Sequence, residues 1–225
     1  MIKTYSVSSI EQLLGYAIID TKQILWEFYL EEKVHMHSQE IFQYLIDMKY
    51  IVAAEYKTYD YLLMSLCHDF QKTCEGSAYL FRDYSETGCP DNRFADITIR
   101  LADMEDCDNL EVLNRMDEEV EFFHDLKEEI INQEVLVFLR ENHLLGAGTF
   151  KKIWKDQSYR DIGMVVAKEH RKKGLGTFIL IQLKEYCDQH DLTPVCGCWY
   201  YNFASKRTLE KAGFITKHRV IHFTF

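Results

Sequence analysis

Residues 170–177 read HRKKGLGT, and their types suggest binding chemistry more clearly than any other stretch of the chain. Gly174 and Gly176 leave room for backbone N–H groups to point at one anion, and Thr177 adds a hydroxyl. The positive charge that a diphosphate needs comes from Arg171, Lys172 and Lys173. A solvated basic turn in front of a helix explains the same residues equally well, so the flanking elements must decide.

The flanking patterns place this loop between a strand and a helix. Residues 159–167, YRDIGMVVA, are strand-like, and residues 177–190, TFILIQLKEYCDQH, carry apolar residues at helical spacing. A Rossmann-type dinucleotide site does not fit, because the full G-x-G-x-x-G spacing is missing. A P-loop does not fit either, because the G-K-[ST] ending is missing.

The second half of the chain has a regular order of predicted elements. A strand at 97–102 precedes acidic helical stretches at 104–116 and 118–132, and three strands follow, the first two meeting at a tight turn, Asn142-His143. The remaining elements are the helix after the loop, a strand from Pro194, a helix from Asn202 to Gly213 and a final strand.

Two blocks in this half resemble the GNAT superfamily of N-acetyltransferases. The run DIGMVVAKEHRKKGLGTFILIQL, with its Arg171-x-x-Gly174-x-Gly176 core, is similar to the acetyl-CoA-binding motif, and NFASKRTLEKAGF, from Asn202 to Phe214, is similar to a later motif. ITIRLADMED matches the usual first strand. The resemblance covers roughly residues 96–225 and not the first 95. It implies an α/β (α+β) fold with a mixed, centrally splayed β-sheet flanked by helices.

The resemblance also implies a binding mode for acetyl-CoA as co-substrate, without a metal. The backbone amides of the loop would hold the pyrophosphate, and they belong to Arg171, Lys172, Lys173, Gly174, Leu175, Gly176 and Thr177. The strand before them would splay from its neighbour and pair its main chain with the pantetheine arm at Met164, Val165 and Val166. Asn202 would reach the pantetheine or thioester region, with Ser205 near the phosphates. A plain N-cap of the following helix suits Asn202 equally well.

Asp161, in the sequence DIGM, is the leading candidate for the general base. It stands where many members of the family carry a glutamate, whereas a surface-facing aspartate or a partner of Arg160 is the alternative. The family's frequent tyrosine, which would act as general acid, is replaced by Leu209. That role therefore passes to Tyr200, Tyr201 or Cys198, or is left to solvent.

Between Asp103 and Glu134 there are thirteen acidic and two basic residues. The resemblance places these helices beside the acceptor channel, which favours a cationic amine acceptor, although charge runs on helices usually mean only solvated faces. His124, alone in this stretch, is more often structural than catalytic. The net charge of −10 argues against nucleic acid as a partner.

Composition sets the remaining limits. Hydrophobic content of 47% indicates a globular protein, and the longest apolar runs fall far short of the ~20 residues that a bilayer requires, so we expect no membrane association. No signal peptide is evident, which favours a cytoplasmic location. Seven cysteines without a C-x-x-C pair suggest neither a disulfide framework nor a structural zinc site.

The first 90 residues are predicted to form a separate, mostly helical module. A boundary falls in the loop-like stretch 85–96, a capping box at Ser8 and Glu11 predicts one helix, and a second is predicted near Ser38. Residues 49–70 fit either a strand followed by a helix or a helix throughout. The module, 1–90, has no catalytic motif or internal repeat, and it could shape the acceptor pocket, mediate homodimerisation or brace the domain at 96–225.

Together these features predict an N-acetyltransferase that moves an acetyl group directly from acetyl-CoA to a primary amine. The acceptor is a small-molecule amine or a peptide, and acyl groups longer than acetyl stay open. The alternative is a catalytically weak GNAT-fold protein that binds coenzyme A as a sensor or interaction partner, which Leu209 favours.

Overall fold

The computed structural model describes residues 2–8, 12–85, 92–115, 122–153 and 158–225. The chain divides into two compact units, and three strands contribute residues to both. The first unit consists of Met1–Leu80, Trp199–Tyr201 and His218–Phe225. The second unit consists of Phe81–Cys198 and Asn202–Lys217.

The first unit is built mainly from strands. Its elements are β1 (Ile2–Ser8), β2 (Leu13–Asp20), β3 (Ile24–Leu30), a 3-10 helix (Glu32–His37), α1 (Ser38–Asp47), β4 (Ala53–Lys57), α2 (Tyr61–Phe70) and β5 (Thr73–Tyr84), with the end of β11 (Phe214–Thr224). The strand order is β1-β2-β3-β4-β11. The pairs β1/β2, β2/β3 and β4/β11 are antiparallel, and β3/β4 is parallel.

Helices α1 and α2 of the first unit pack their apolar sides on one face of its sheet. Phe42 of α1 is fully buried, and its ring lies 5.6 Å from Phe28 of β3, 5.7 Å from Phe70 of α2 and 5.4 Å from Phe225. Ala17 and Ile19 of β2 point into the same core, as the period of two in a strand requires.

The prediction of a mostly helical first module is wrong. Residues 13–20, predicted to be helical, form β2, because their apolar residues also satisfy alternation and both β1 and β3 pair with them. At Gly15 an added Cβ would lie 2.2 Å from the carbonyl oxygen of Tyr29, so the close strand approach needs glycine. Glu11 of the predicted capping box lies outside the described residues.

Two other expectations for the first module are resolved. The helix predicted near Ser38 is confirmed, since α1 begins at Ser38 and buries Phe42 and Leu45. Residues 49–70 contain β4 followed by α2, which selects the strand-then-helix interpretation. The side chain of Asp60 caps α2 by accepting a hydrogen bond from the Leu63 N–H at 3.1 Å.

The second unit follows the predicted order of elements. They are β6 (Thr98–Leu101), a 3-10 helix (Met104–Asp106), α3 (Cys107–Arg115), α4 (Leu126–Ile131), β7 (Val135–Arg140), β8 (His143–Lys152), β9 (Tyr159–Val166), a 3-10 helix (Lys168–His170), α5 (Leu175–Gln189), β10 (Thr193–Trp199), α6 (Phe203–Lys211) and the start of β11. The tight turn between β7 and β8 lies one residue earlier than predicted, at Glu141 and Asn142, which have φ values of 50° and 66°. Part of the predicted helix 118–132 lies outside the described residues.

The sheet of the second unit has the order β5-β10-β9-β8-β7-β6. β9 and β10 are parallel and pair at three positions, the last of which joins Asp161 to Val195. Beyond that pair the ladder between these two strands ends, while β9 stays paired with β8 as far as Val166. This end of the ladder is the splay that the family resemblance implied.

The two units repeat one topology. β1-β2-β3-α1-β4-α2-β5 has the same element order as β7-β8-β9-α5-β10-α6-β11. In both series three antiparallel strands are followed by a helix and then by a strand parallel to the third. The chain thus contains a structural repeat that its sequence does not reveal.

Candidate active site

The loop between β9 and α5 leads into a fifteen-residue helix. Gly174 is the N-cap with φ of 91°, a left-handed conformation that glycine adopts without steric cost, and Lys172 is also left-handed with φ of 61°. The first amides of α5, at Leu175, Gly176 and Thr177, have no i−4 carbonyl to bind. N–H groups at a helix terminus of this kind can bind an anion.

The loop glycines lie at close contacts. An added Cβ at Gly176 would lie 3.1 Å from the Sδ of Met164 on β9 and 3.3 Å from the Cγ2 of Thr208 on α6. An added Cβ at Gly174 would lie 3.3 Å from the Nη2 of Arg93. The loop therefore lies against β9 and α6. It also brings Arg93, from a distant part of the sequence, beside the amide cradle, by which we mean the backbone N–H groups at the start of α5.

The basic residues of the loop have different roles. Lys172 and Lys173 are exposed, whereas Arg171 is half-buried and donates from Nε to the carbonyl oxygen of Val166 at 2.9 Å. Arg171 thus ties the loop to the end of β9. Our sequence interpretation treated the three residues as equivalent charges and missed this difference.

Asn202 and Leu209 have different roles in helix α6. Asn202 is the N-cap, and its Oδ1 accepts a hydrogen bond from the Ser205 N–H at 3.0 Å. Its amide NH2 is not part of that bond, so capping and ligand binding are compatible. Leu209 is 3% exposed and belongs to the core, so the family's tyrosine position serves packing in this chain.

Asp161 lies on β9 between Lys151 of β8 and Val195 of β10, its partners in the two ladders. Solvent reaches its carboxylate, but enough protein surrounds the group to weaken its hydration. Burial therefore raises the pKa of Asp161 above its ordinary value, although the charges of Arg82 and Lys151 pull the pKa downward. A carboxylate with a raised pKa is a better base than an ordinary aspartate.

Lys151 connects Asp161 to the segment before α4. Its Nζ donates to Oε1 of buried Glu129 at 2.7 Å, and the same oxygen accepts from the backbone N–H of His124 at 3.2 Å. Phe122 lies over β9, since an added Cβ at Gly163 would be 3.1 Å from its ring. The segment 122–129 thus walls the Asp161 face of β9. His124 contributes its backbone here, in line with the structural interpretation.

Tyr200 and Tyr201 belong to the first unit, whereas Asp161 belongs to the second. The ring of Tyr200 stacks on Tyr79 with a centroid distance of 4.9 Å and an interplanar angle of 4°. Its N–H donates to the Ser77 carbonyl oxygen at 2.9 Å, and an added Cβ at Gly76 would lie 2.5 Å from its ring. The structure therefore shows a packing role for Tyr200 and does not group the predicted acid with the predicted base within one unit.

Several residues near these groups were missed by sequence reasoning. Arg82 donates from Nη1 to the carbonyl oxygen of Cys196 at 3.1 Å and influences Asp161, although it precedes the predicted domain boundary. Lys151 was one of two consecutive lysines, and only the strand register distinguishes it from Lys152. Alternation along β8 could have singled out Lys151; nothing local marks Arg82 or Arg93.

Two further observations concern metal binding and membrane spans. Within the described ranges, no group of three or more His, Cys, Asp and Glu side chains could bind a metal ion. No helix in the same ranges is long and apolar enough to span a membrane.

Comparison with family models identifies both parts of the chain. A model described as "Acetyltransferase (GNAT) domain" matches residues 2–84, and one described as "Acetyltransferase (GNAT) family" matches residues 100–214, about half of the chain. The chain belongs to the acetyltransferase (GNAT) family. It is an N-acetyltransferase that uses acetyl-CoA as the acetyl donor. Our expectation that the resemblance stops short of the first 95 residues is wrong.

Solved structures share the fold at low sequence identity. An acetyltransferase of the GNAT family from Colwellia psychrerythraea aligns with a TM-score of 0.85 at 22% identity, covering 99% of this chain and 85% of that one. A GCN5-related N-acetyltransferase from Sphaerobacter thermophilus aligns with a TM-score of 0.64 at 12% identity, covering 94% and 76%. A tandem GNAT protein from the clavulanic acid biosynthesis pathway aligns with a TM-score of 0.60 at 11% identity, covering 100% and 82%. No curated protein sequence matches the chain.

Proposed function

We propose that the second unit, the core of an acetyltransferase domain at 96–225, binds acetyl-CoA along β9 and transfers its acetyl group to a primary amine beside Asp161. The observation that carries the proposal is the end of the β9/β10 ladder at the pair Asp161–Val195. Beyond this pair β10 no longer pairs with β9, in the stretch directly between the candidate base and the anion-binding loop. The ligand's pantetheine arm would pair there with Met164, Val165 and Val166.

The cradle fits the diphosphate of coenzyme A. Its backbone amides extend from Lys172 to Thr177, since the N–H of Arg171 donates to the carbonyl oxygen of Lys168 at 3.4 Å. Gly174 carries no side chain at the helix entry, and Lys172 and Lys173 supply exposed charge. Asn202 would add its amide NH2, and Ser205 follows it in the first turn of α6. When bound, acetyl-CoA supplies an activated thioester carbonyl.

Asp161 would remove a proton from the acceptor ammonium, directly or through one water, so that a neutral amine can attack. The main chain of Met164 and Val165 would polarise the carbonyl through an N–H group. Arg82 and Lys151 favour the ionised form of the carboxyl group, because their charges oppose the effect of burial on its pKa. The departing thiolate would receive its proton from solvent, because the ring of Tyr200 is packed against Tyr79.

The acceptor is a primary amine of a small molecule or a peptide. The acidic residues between Asp103 and Glu134 support a cationic acceptor less than their number suggests, because some of these side chains stabilise the fold. Asp106 accepts two hydrogen bonds from Arg100 at 2.6 and 2.8 Å, Glu129 pairs with Lys151, and Asp125 caps α4. A cytoplasmic location and a homodimer stay predictions.

A sensor that binds coenzyme A without efficient transfer is the second candidate. Leu209 favours it, because a buried leucine cannot donate a proton to the leaving thiolate. The raised pKa of Asp161 favours the enzyme, because a structural surface aspartate would have an ordinary pKa.

The test compares wild type with Asp161→Asn on a panel of amines, with acetyl-CoA binding measured by calorimetry in parallel. We expect Asp161→Asn to lower kcat by about 10²- to 10⁴-fold while the affinity for acetyl-CoA changes little. Asp191→Asn, an exposed aspartate after α5, is the matched control. Binding without turnover of any amine by the wild type would support the sensor instead.

A further inference from the structure

Arg82 of β5 is a half-buried cation in the second unit, and no carboxylate of the described residues forms an ion pair with it. Its hydrogen bonds leave from Nη1 and go to main-chain carbonyl oxygens, of Phe81 at 3.3 Å and of Cys196 at 3.1 Å. A charge that is withdrawn from bulk water is usually paired with an opposite charge. The chain has 36 acidic residues, so the missing partner of Arg82 points to a ligand.

The other two nitrogens of this guanidinium, Nε and Nη2, form one edge of the planar group. Within the described part of the chain neither nitrogen donates a hydrogen bond to protein, and neither is a buried atom that lacks a partner. Both are therefore accessible to solvent. Two parallel N–H groups on such an edge match the two oxygens of a carboxylate. The bonds from Nη1 hold the group against β10 and leave this edge available.

The guanidinium lies beside the candidate base. Cys196, whose carbonyl oxygen accepts from Arg82, directly follows Val195, the ladder partner of Asp161. Neighbouring strands are about 4.8 Å apart, so Arg82 reaches the first residue of β10 beyond the end of the ladder, next to Asp161. No hydrogen bond or ion pair joins the two side chains, and among the described residues no group donates a hydrogen bond to the Asp161 carboxylate. A cation and a carboxylate thus lie close together without satisfying each other.

Lys151 is the second cation beside Asp161, but its charge is already neutralised. Its Nζ forms an ion pair with the buried carboxylate of Glu129 at 2.7 Å. Arg82 has no such partner among the described residues. Of the two cations, Arg82 is therefore the one that is suited to bind an anionic group of a substrate.

We propose that the acceptor is an amino acid, whose carboxylate binds the Nε–Nη2 edge of Arg82 while its amine lies at Asp161. Arg82 is then the specificity-determining residue for the acceptor. The inference rests on the proposed function, because it takes Asp161 as the base. A zwitterion brings its two charges to protein groups of opposite sign, and the ammonium proton passes to Asp161 before the amine attacks the thioester. An amine without a carboxylate leaves Arg82 unpaired and binds less well.

The experiment measures kcat/KM for acetyl transfer to matched acceptors, which are free amino acids, their primary amides and the amines that lack the carboxyl group. Within each set that is turned over, the wild type should prefer the acid by about ten- to a hundredfold, as hydrogen bonds between charged groups imply. Arg82→Gln should remove this preference, and Arg82→Lys should keep part of it. Lys151→Met is the matched control, because it also removes a positive charge beside Asp161 but should leave the preference unchanged.

The inference is overturned if the wild type acetylates the amides or simple amines as well as the acids, or if Arg82→Gln keeps the preference. Loss of that transfer in Asp161→Asn would show that the proposed function stands while the role of Arg82 falls. If the wild type acetylates no amine of the panel, both proposals fail. A shifted acidic limb of the pH profile in Arg82→Gln with an unchanged preference would restrict Arg82 to an effect on the pKa of Asp161, which also overturns the inference. Thermal melting of each variant shows that it is folded.

Discussion

Asp161 has two cationic neighbours that reach it from different strands. Lys151 faces it across the β8/β9 ladder, and Arg82 comes from β5. Burial makes the carboxylate harder to ionise, and the two cations oppose that effect. Removing either cation should therefore raise the pKa of Asp161 further.

Lys151→Met tests this balance. Since Asp161 must be ionised to act as a base, activity rises with pH through its pKa, and the acidic limb of the pH profile of kcat/KM should move to higher pH in the variant. Lys152→Met, one residue along β8 on the other face of the sheet, should leave the limb in place.

Glu129 loses its partner in Lys151→Met, so the double variant Lys151→Met/Glu129→Gln should be measured as well. It removes the ion pair without leaving a buried, uncompensated carboxylate. A limb that stays fixed or moves to lower pH in both variants would contradict the role of Lys151.

Helix α6 and the β9–α5 loop are the elements that we expect to hold the donor. Asn202 caps α6, and a cap substitution can separate its two roles. Asn202→Ser keeps a capping oxygen but removes the amide NH2, so melting should change little while KM for acetyl-CoA rises several-fold. Asn202→Ala should in addition lower the free energy of unfolding by about 1 kcal/mol. An unchanged KM for acetyl-CoA in Asn202→Ser would show that Asn202 acts only as the N-cap of α6.

Gly174 tests the loop itself. Its φ of 91° disfavours other residues, but asparagine tolerates this conformation better than glutamate. Gly174→Glu should abolish measurable binding of coenzyme A in calorimetry, because it places a negative side chain at the amide cradle. Gly174→Asn should retain binding with reduced affinity. Equal affinities of wild type and Gly174→Glu for coenzyme A would contradict the assignment of this loop as the diphosphate site.

The elements differ in how far the sequence could predict them. The order of the second unit was predictable, because glycines, a proline and Asn202 mark its boundaries and its apolar periods are clear. Strand β2 was not predictable, because its apolar residues at 13, 14, 17 and 18 fit a helix as well as a strand. Only the pairing with β1 and β3 determines that this segment is a strand. Arg82 and Arg93 reach the site through long-range contacts that no local pattern encodes.

At the scale of the whole molecule, the chain contains the same topology twice, and both parts match GNAT family models. The two series differ where the third strand meets its helix. In the second unit this connection carries the glycine loop. In the first unit the connection from β3 to α1 contains Glu31 and Glu32 and no glycine, and its helix entry has no left-handed residue.

We therefore predict one coenzyme A site per chain. Glu31 and Glu32 lie at the start of the 3-10 helix that precedes α1, and this connection has no glycine loop whose N–H groups could hold a diphosphate. Calorimetric titration of the full chain should give a stoichiometry of one. A stoichiometry of two would show that the first unit also binds the donor.

A crystal structure of the complex with coenzyme A tests the central assignment most directly. We expect the diphosphate oxygens to accept hydrogen bonds from backbone nitrogens between Arg171 and Thr177, with the pantetheine arm beside β9 beyond Asp161. A diphosphate bound at any other place in the molecule would contradict that assignment.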